Sequence, residues 1–319
     1  MCYSARVVQK FEHLSRHYGA EVDWESFREI YMRRADGENI KMSRELDRNY
    51  LHPVTDTQRL TREYIDRYIA NKVSEWETEI FAQRRRLGNA ERSLALKETK
   101  KARKDVRIAT KKVTALLERL ADLRRRESAE EEDRIFPAMY VPLIVTENGR
   151  RVIKPMRYAC RLAGKPADYD QRFPGTYNAR RDSLTGFWNN VYGRRHGLMV
   201  VSGFYENVPR HLYERRELQA GEAAQNLVLE FNPKPSIEML GACVWDRWTG
   251  AGSEDLYSFA AITDEPPQEI AATGHQRCII ALKDENLSEW LSPAQVGKDR
   301  LEAILSAKEA PYYEHRVAA

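Results

Sequence analysis

The apolar positions change period once along the chain. Between Val22 and Arg34, Trp24, Phe27, Ile30 and Tyr31 recur at helical spacing, and Asp23 is placed to cap their helix. From Thr57 to Asp133 there is no proline, and Leu60, Tyr64, Tyr68, Val73, Trp76 and Ile80 fall on one side of a helix. Gly88-Asn89 is the only break in that stretch. Beyond it, Val106, Ala109, Val113, Leu116, Leu120 and Leu123 alternate spacings of three and four, an a/d seam of nearly three heptads. The pattern predicts two helices folded into an antiparallel hairpin. One long helix through Gly88 is the alternative, because a glycine costs a helix only ~1 kcal/mol. The acids Glu130 to Asp133 would lie at a helix C-terminus, where the macrodipole disfavours them, so that end is expected to fray.

After Ala138 the signal becomes β-type. Short runs at Tyr140–Thr146, Gly197–Val201, Leu227–Phe231, Gly241–Trp245, Tyr257–Thr263 and Arg277–Leu282 are separated by turn residues, Glu147-Asn148-Gly149 among them. Leu287–Leu291 and Lys298–Ala307 read as helices. Helices and strands do not alternate regularly, which disfavours a doubly wound parallel sheet. The prediction is an α+β fold: a β-rich domain of antiparallel sheets, discontinuous over 1–20 and 136–319, with residues 57–133 inserted as a helical coiled-coil hairpin.

The chain has 319 residues, 42% apolar and 31% charged, which is enough to bury a core. No run approaches the ~18 apolar residues of a membrane span, and Met1 to Lys10 lacks the pattern of a signal peptide. A reduced cytoplasmic setting is expected, associated with the nucleoid if DNA is the partner. The four cysteines, Cys2, Cys160, Cys243 and Cys278, are far apart without zinc-ligand spacing, so no structural metal is expected. The net charge of +4 hides an asymmetry: Arg84 to Arg126 carries 16 Lys or Arg against 5 Asp or Glu. Such a segment is either a solvated helical face or a surface for phosphates or a protein partner.

Four positions carry chemistry. Cys2 follows the initiator Met, whose removal is usual before a small residue and would leave an N-terminal 1,2-aminothiol. Its α-amine and thiol, with reference pKa values near ~8 and ~8.5, are both usable nucleophiles at neutral pH, and together they can close an aldehyde into a thiazolidine. Gly203-Phe204-Tyr205-Glu206 places a carboxylate just past the end of a strand among aromatics, a setting suited to acid/base work. Asn178-Ala179-Arg180 offers an amide and a guanidinium in a turn-rich segment. Gly274-His275-Gln276-Arg277 holds an imidazole and a second guanidinium ahead of an apolar strand. Each also has an ordinary reading, as an arbitrary second residue, a surface ion pair, a turn former or a strand-end hydrogen bonder.

In this order, Cys2, Asn178-Ala179-Arg180, Gly203-Phe204-Tyr205-Glu206 and His275-Gln276-Arg277 resemble the SRAP family, the SOS response-associated peptidases. The resemblance extends to Gly241-Ala242-Cys243-Val244-Trp245, Tyr257 to Thr263 and Glu289-Trp290-Leu291. It implies a compact β-rich α+β domain with a basic DNA channel, and covalent capture of abasic sites in single-stranded DNA, without a cofactor. It further implies Cys2 as nucleophile, Glu206 as acid/base carboxylate, and His275 as the histidine that opens the sugar and reverses the link. Asn178 would orient the nucleophile or sugar, and Arg180 and Arg277 would hold the flanking phosphates.

The chain departs from the family at Tyr3-Ser4, where Gly-Arg is usual, and at Tyr158-Ala159-Cys160, Asp182, Asn207 and Cys278. The long insertion is a further departure. Two other readings stay open at this point: an N-terminal-nucleophile amidohydrolase or peptidase, and an inactive basic DNA-binding scaffold.

Overall fold

The computed structural model describes residues 4–125, 133–250, 252 and 254–318. Cys2 and the acids Glu130 to Glu132 lie outside the described residues. Strand β1 (Ser4–Val7) leads into α1 (Phe11–Tyr18), β2 (Glu21–Val22), α2 (Trp24–Ala35), β3 (Lys41–Met42) and α3 (Arg44–Asp47). The long helices α4 (Asp56–Leu96) and α5 (Lys100–Arg124) follow. Next come β4 (Arg134–Ile135), β5 (Met139–Glu147), β6 (Arg150–Tyr158), α6 (Tyr169–Arg172) and β7 (Asn178–Arg180). The long strand β8 (His196–Pro209) precedes α7 (Arg210–Tyr213), β9 (Asn226–Lys234), β10 (Met239–Trp248) and β11 (Leu256–Asp264). The last elements are α8 (Gln268–Ala271), β12 (Cys278–Ile279), β13 (Ala281–Leu282), α9 (Leu287–Leu291), α10 (Lys298–Ser306) and β14 (Tyr312–Val317). The fold is α+β.

The chain divides into two compact units, one of Met1–Ile30, Ile40–His52 and Glu130–Ala319, the other of Tyr31–Asn39 and Pro53–Ala129. In the first, the strands join in a single 14-stranded network. Its centre closes on itself: β8 pairs β10, β10 pairs β11, β11 pairs β6, β6 pairs β5, and β5 returns to β8. The same apolar cluster draws Leu143 and Val145 from β5, Met156 from β6, Met199 from β8, Cys243 from β10 and Phe259 from β11. Burying each large side chain contributes about 1.5–3 kcal/mol. Asn148 and Gly149, both in the left-handed region at φ 51° and 76°, make the tight turn between β5 and β6, as an Asn-Gly pair favours. The pairings of β11 with β6 and β7, and of β2 and β3 with β6 and β5, are parallel, so the sheet is mixed rather than purely antiparallel.

Two local expectations are corrected. Strand β8 does not stop at Val201; it runs to Pro209, because its second half leaves the closed ring and pairs with β1 and β9 instead. The Asn178–Arg180 segment is a strand held parallel to β11, not a turn. Helix α2 starts at Trp24, and Asp23 caps it as the sequence predicts, accepting the Ser26 N–H at 3.0 Å.

In the second unit, α4 opens on a capping box in which Thr55 and Gln58 satisfy each other's backbone N–H groups. The helix runs through Gly88 without a break. The reversal comes at Lys97-Glu98-Thr99, where Thr99 Oγ1 accepts the Ala102 N–H at 3.1 Å and starts α5. The two helices are antiparallel, as ion pairs Arg86–Asp105, Lys112–Glu79 and Arg124–Glu77 require. Leu116 and Leu120 pack on Ile80, Val73 and Trp76, as the heptad spacing predicts.

Candidate active site

Strand β8 sets the site. Tyr205 lies opposite Ser4 of β1, so the first described residues of the chain are paired beside Glu206. Glu206 itself pairs with Leu229 of β9, and its side chain is fully buried. It therefore lies within a strand, not past the end of one. The His275 imidazole reaches it from the loop after α8, with Nε2 3.0 Å from Glu206 Oε2. That loop depends on Gly274, whose φ of +91° is unfavourable for any side chain. A Cβ there would also stand 2.9 Å from the Leu212 Cβ.

A backbone contact orients the imidazole. His275 Nδ1 lies 2.8 Å from the Arg277 carbonyl oxygen, which can only accept, so Nδ1 carries a hydrogen. The Arg277 N–H, 3.4 Å from the same nitrogen, is the weaker contact. Nε2, the other ring nitrogen, faces the carboxyl, and a buried carboxyl and imidazole at this distance are the groups that general acid/base chemistry uses.

The two arginines singled out in the sequence come together through an acid. Arg180 donates to both oxygens of Asp182, at 3.2 and 2.6 Å, and Arg277 Nη2 lies 3.8 Å from Asp182 Oδ2. The Arg180 hydrogen bonds hold the Asp182 carboxyl below the usual range. Strand β11 aligns these groups: Thr263 faces Arg180 on one side and Ile279, just past Arg277, on the other. Asn178, two residues before Arg180, is 7% exposed, and neither its amide oxygen nor its nitrogen has a hydrogen-bond partner among the described residues. A buried amide in this state costs about 1–3 kcal/mol per group. Cys2 lies outside the described residues. The three described cysteines are buried, which pushes the thiols of Cys160 and Cys278 up to about 12 and raises that of Cys243 as well. At Cys278 the nearby Glu206 charge adds to the effect of burial. None of the three is a thiolate at neutral pH.

Two further arginines, Arg6 of β1 and Arg134 of the neighbouring β4, escaped the sequence reading. Arg134 stacks on the Tyr205 ring at 3.7 Å and donates Nε–H to Ser4 Oγ at 3.0 Å. Arg6 pairs with the buried Glu230 at 2.9 Å, and Gly203 leaves room for its guanidinium, which a Cβ would meet at 2.6 Å. Burial pushes the Glu230 carboxyl up, but the hydrogen bond from Arg316 and the charge of Arg6 outweigh it and hold the group below the usual range. Arg134 follows an acidic run and has no motif around it. Only the pairing of β1 with β4 and β8 reveals its place.

The chain is similar to known proteins in three ways. Residues 101–318 match the family model described as SOS response associated peptidase (SRAP). Abasic site processing protein YoqW of Bacillus subtilis (strain 168) and the protein of that name from Bacillus phage SPbeta are each 32% identical over 69 residues, 22% of this chain. The matched stretch spans about 30% of the length of those relatives. Among solved structures, a protein of Bacteroides thetaiotaomicron aligns with a TM-score of 0.46 at 15% identity, over 58% of this chain and 77% of its own. A phage-related protein of Bordetella bronchiseptica aligns with a TM-score of 0.44 at 18% identity, over 61% and 85%. With more than half of its length matched by the family model, the chain belongs to the SOS response associated peptidase family.

Proposed function

We propose that the protein captures abasic sites in single-stranded DNA as a covalent thiazolidine, using Cys2 after removal of Met1. The Cys2 α-amine adds to the aldehyde of the ring-opened deoxyribose and water leaves to give an imine. The Cys2 thiolate then adds to the imine carbon and the nitrogen takes up a proton, so the product is protein plus DNA less one water. Glu206 and His275 supply and remove the protons of the dehydration and ring closure. Asn178 orients the sugar, and Arg180 and Arg277 hold the flanking phosphates. An abasic nucleotide has no base to read, so recognition through backbone charge suits it.

The observation that carries this reading is the buried Glu206–His275 pair beside the strand that pairs with Ser4. Cys2 is two residues from Ser4 in the sequence. Membership of the family and the name of the Bacillus relatives agree with it. The test is a denaturing gel of the protein with an oligonucleotide carrying one abasic site, beside Cys2→Ala and undamaged DNA. A retarded band that requires both the lesion and Cys2 is expected. No band from folded protein that has lost Met1 would end the proposal and turn attention to amide substrates.

A further inference from the structure

The helical hairpin is not used by the chemistry above, yet its charge is laid out unevenly. On α5, Lys100, Lys104, Arg107 and Lys111 follow one another at spacings of four, three and four, which puts them in one row along the helix. All four are exposed. The row lies on the side opposite Ala102, Ala109, Leu116 and Leu120, the buried seam against α4. It extends for about 17 Å at 1.5 Å per residue.

Four acids of the hairpin are committed elsewhere. Asp105, Glu79 and Glu77 each pair with a cation across or beside the seam, and Glu98 pairs with Arg103. None of the four cations in the row makes an ion pair with a described residue. The row opposes the stability of its own helix in two ways. Like charges three and four apart repel. The first turn of α5 contains no acid, so its cations face the positive end of the helix dipole. Solubility alone calls for interspersed signs rather than a one-signed row.

We propose that this face of α5 is a second nucleic-acid-binding surface, which takes the phosphodiester backbone without reading sequence or damage. Its effect is to hold the protein on undamaged DNA independently of Cys2. The occupant follows from charge complementarity: four regularly spaced cations that make no ion pair with a described residue match a linear polyanion, and each neutralised phosphate releases a counterion.

The test uses the full chain and undamaged fluorescent oligonucleotides, single-stranded and duplex, with binding followed by anisotropy over a series of KCl concentrations. The variant carries Lys100→Gln, Lys104→Gln, Arg107→Gln and Lys111→Gln, substitutions that keep good helix formers. Circular dichroism checks its helicity. For single strands the slope of log K against log salt should become shallower by about 3, at about 0.7 per phosphate contact. Between 50 and 200 mM KCl the parent should then lose about 50-fold more affinity than the variant. An unchanged slope and affinity in a folded variant would overturn the proposal, as would loss of binding to phosphatidylserine vesicles alone. Cross-linking to an abasic oligonucleotide at saturating protein is read separately. Its failure in the parent would count against the Cys2 chemistry and leave the hairpin surface standing.

Discussion

Glu206→Gln separates the chemistry of the site from its packing. The side chain is fully buried, and the amide occupies almost the same volume, so the core around β8 is left intact. What changes is the proton. In the parent, His275 Nε2 faces the carboxyl at 3.0 Å, and this pair is assigned the proton transfers in the proposed reaction. In the variant, an amide N–H can donate to Nε2, which keeps the contact but removes the carboxyl as a proton donor or acceptor. General acid/base catalysis contributes about 10²–10⁴-fold, which is about 3–5 kcal/mol of barrier at 1.36 kcal/mol per tenfold. The single-turnover rate of cross-linking to an abasic oligonucleotide should fall by that factor. Binding to the same DNA measured with Cys2→Ala as background should hold, and the melting temperature should stay within a few degrees. A rate within threefold of the parent in folded Glu206→Gln would refute the proton-transfer role of the pair.

Further outcomes follow from other groups. His196 is buried, accepts the Gly193 N–H at Nε2 (2.8 Å) and contacts the Trp290 carbonyl through Nδ1, and burial lowers its pKa to about 3. The unfolded chain therefore takes up a proton near pH 6.5 that the folded chain refuses. Stability is full above that value and declines as pH falls towards 3, by on the order of 5 kcal/mol, which urea titrations at several pH values will read. Asp182→Asn releases Arg180 and Arg277 and should tighten binding to single-stranded DNA, while Arg180→Ala and Arg277→Ala should each make the salt slope shallower by about 0.7. Gly274→Ala forces a side chain into a positive-φ position against Leu212, and should destabilise the protein by about 1–3 kcal/mol and slow cross-linking by displacing His275.

The parts of the fold that are legible in the sequence are those where one local signal dominates. The heptad seam of α5 and the Asn148-Gly149 turn needed no tertiary information. Gly88 misled because a single glycine is a small penalty in a helix of 41 residues that packs against another, whereas Thr99 supplies a real start signal for α5. Strand β6 went unread because its sequence, Arg150 to Tyr158, mixes charges with a proline. Lys154 is buried there only because Asp23 and Glu147 neutralise it, at 2.7 and 3.1 Å. The end of β8 was misplaced because Ser202-Gly203 looks like a terminator, yet the glycine is there to admit Arg6.

The candidate site was partly legible for the same reason. Glu206, His275, Asn178, Arg180 and Arg277 stand in short motifs, and the fold brings Glu206 to His275 and both arginines to Asp182. Arg134 and Arg6 act across strand pairings separated by more than a hundred residues, which no local pattern encodes. The departure at Asp182 also has a visible consequence, since its shorter acid is the group the two arginines share.

The central claim is that the N-terminal cysteine forms the bond to the lesion. Intact-mass measurement of the cross-linked product, followed by digestion and mapping of the modified peptide, tests it most directly. The account predicts a mass equal to the protein without Met1 plus the abasic oligonucleotide less one water. It places the adduct on the peptide that begins at Cys2, and expects the product to resist borohydride because the imine has already closed to a ring. An adduct on a lysine, or one that borohydride must trap to survive, would contradict it.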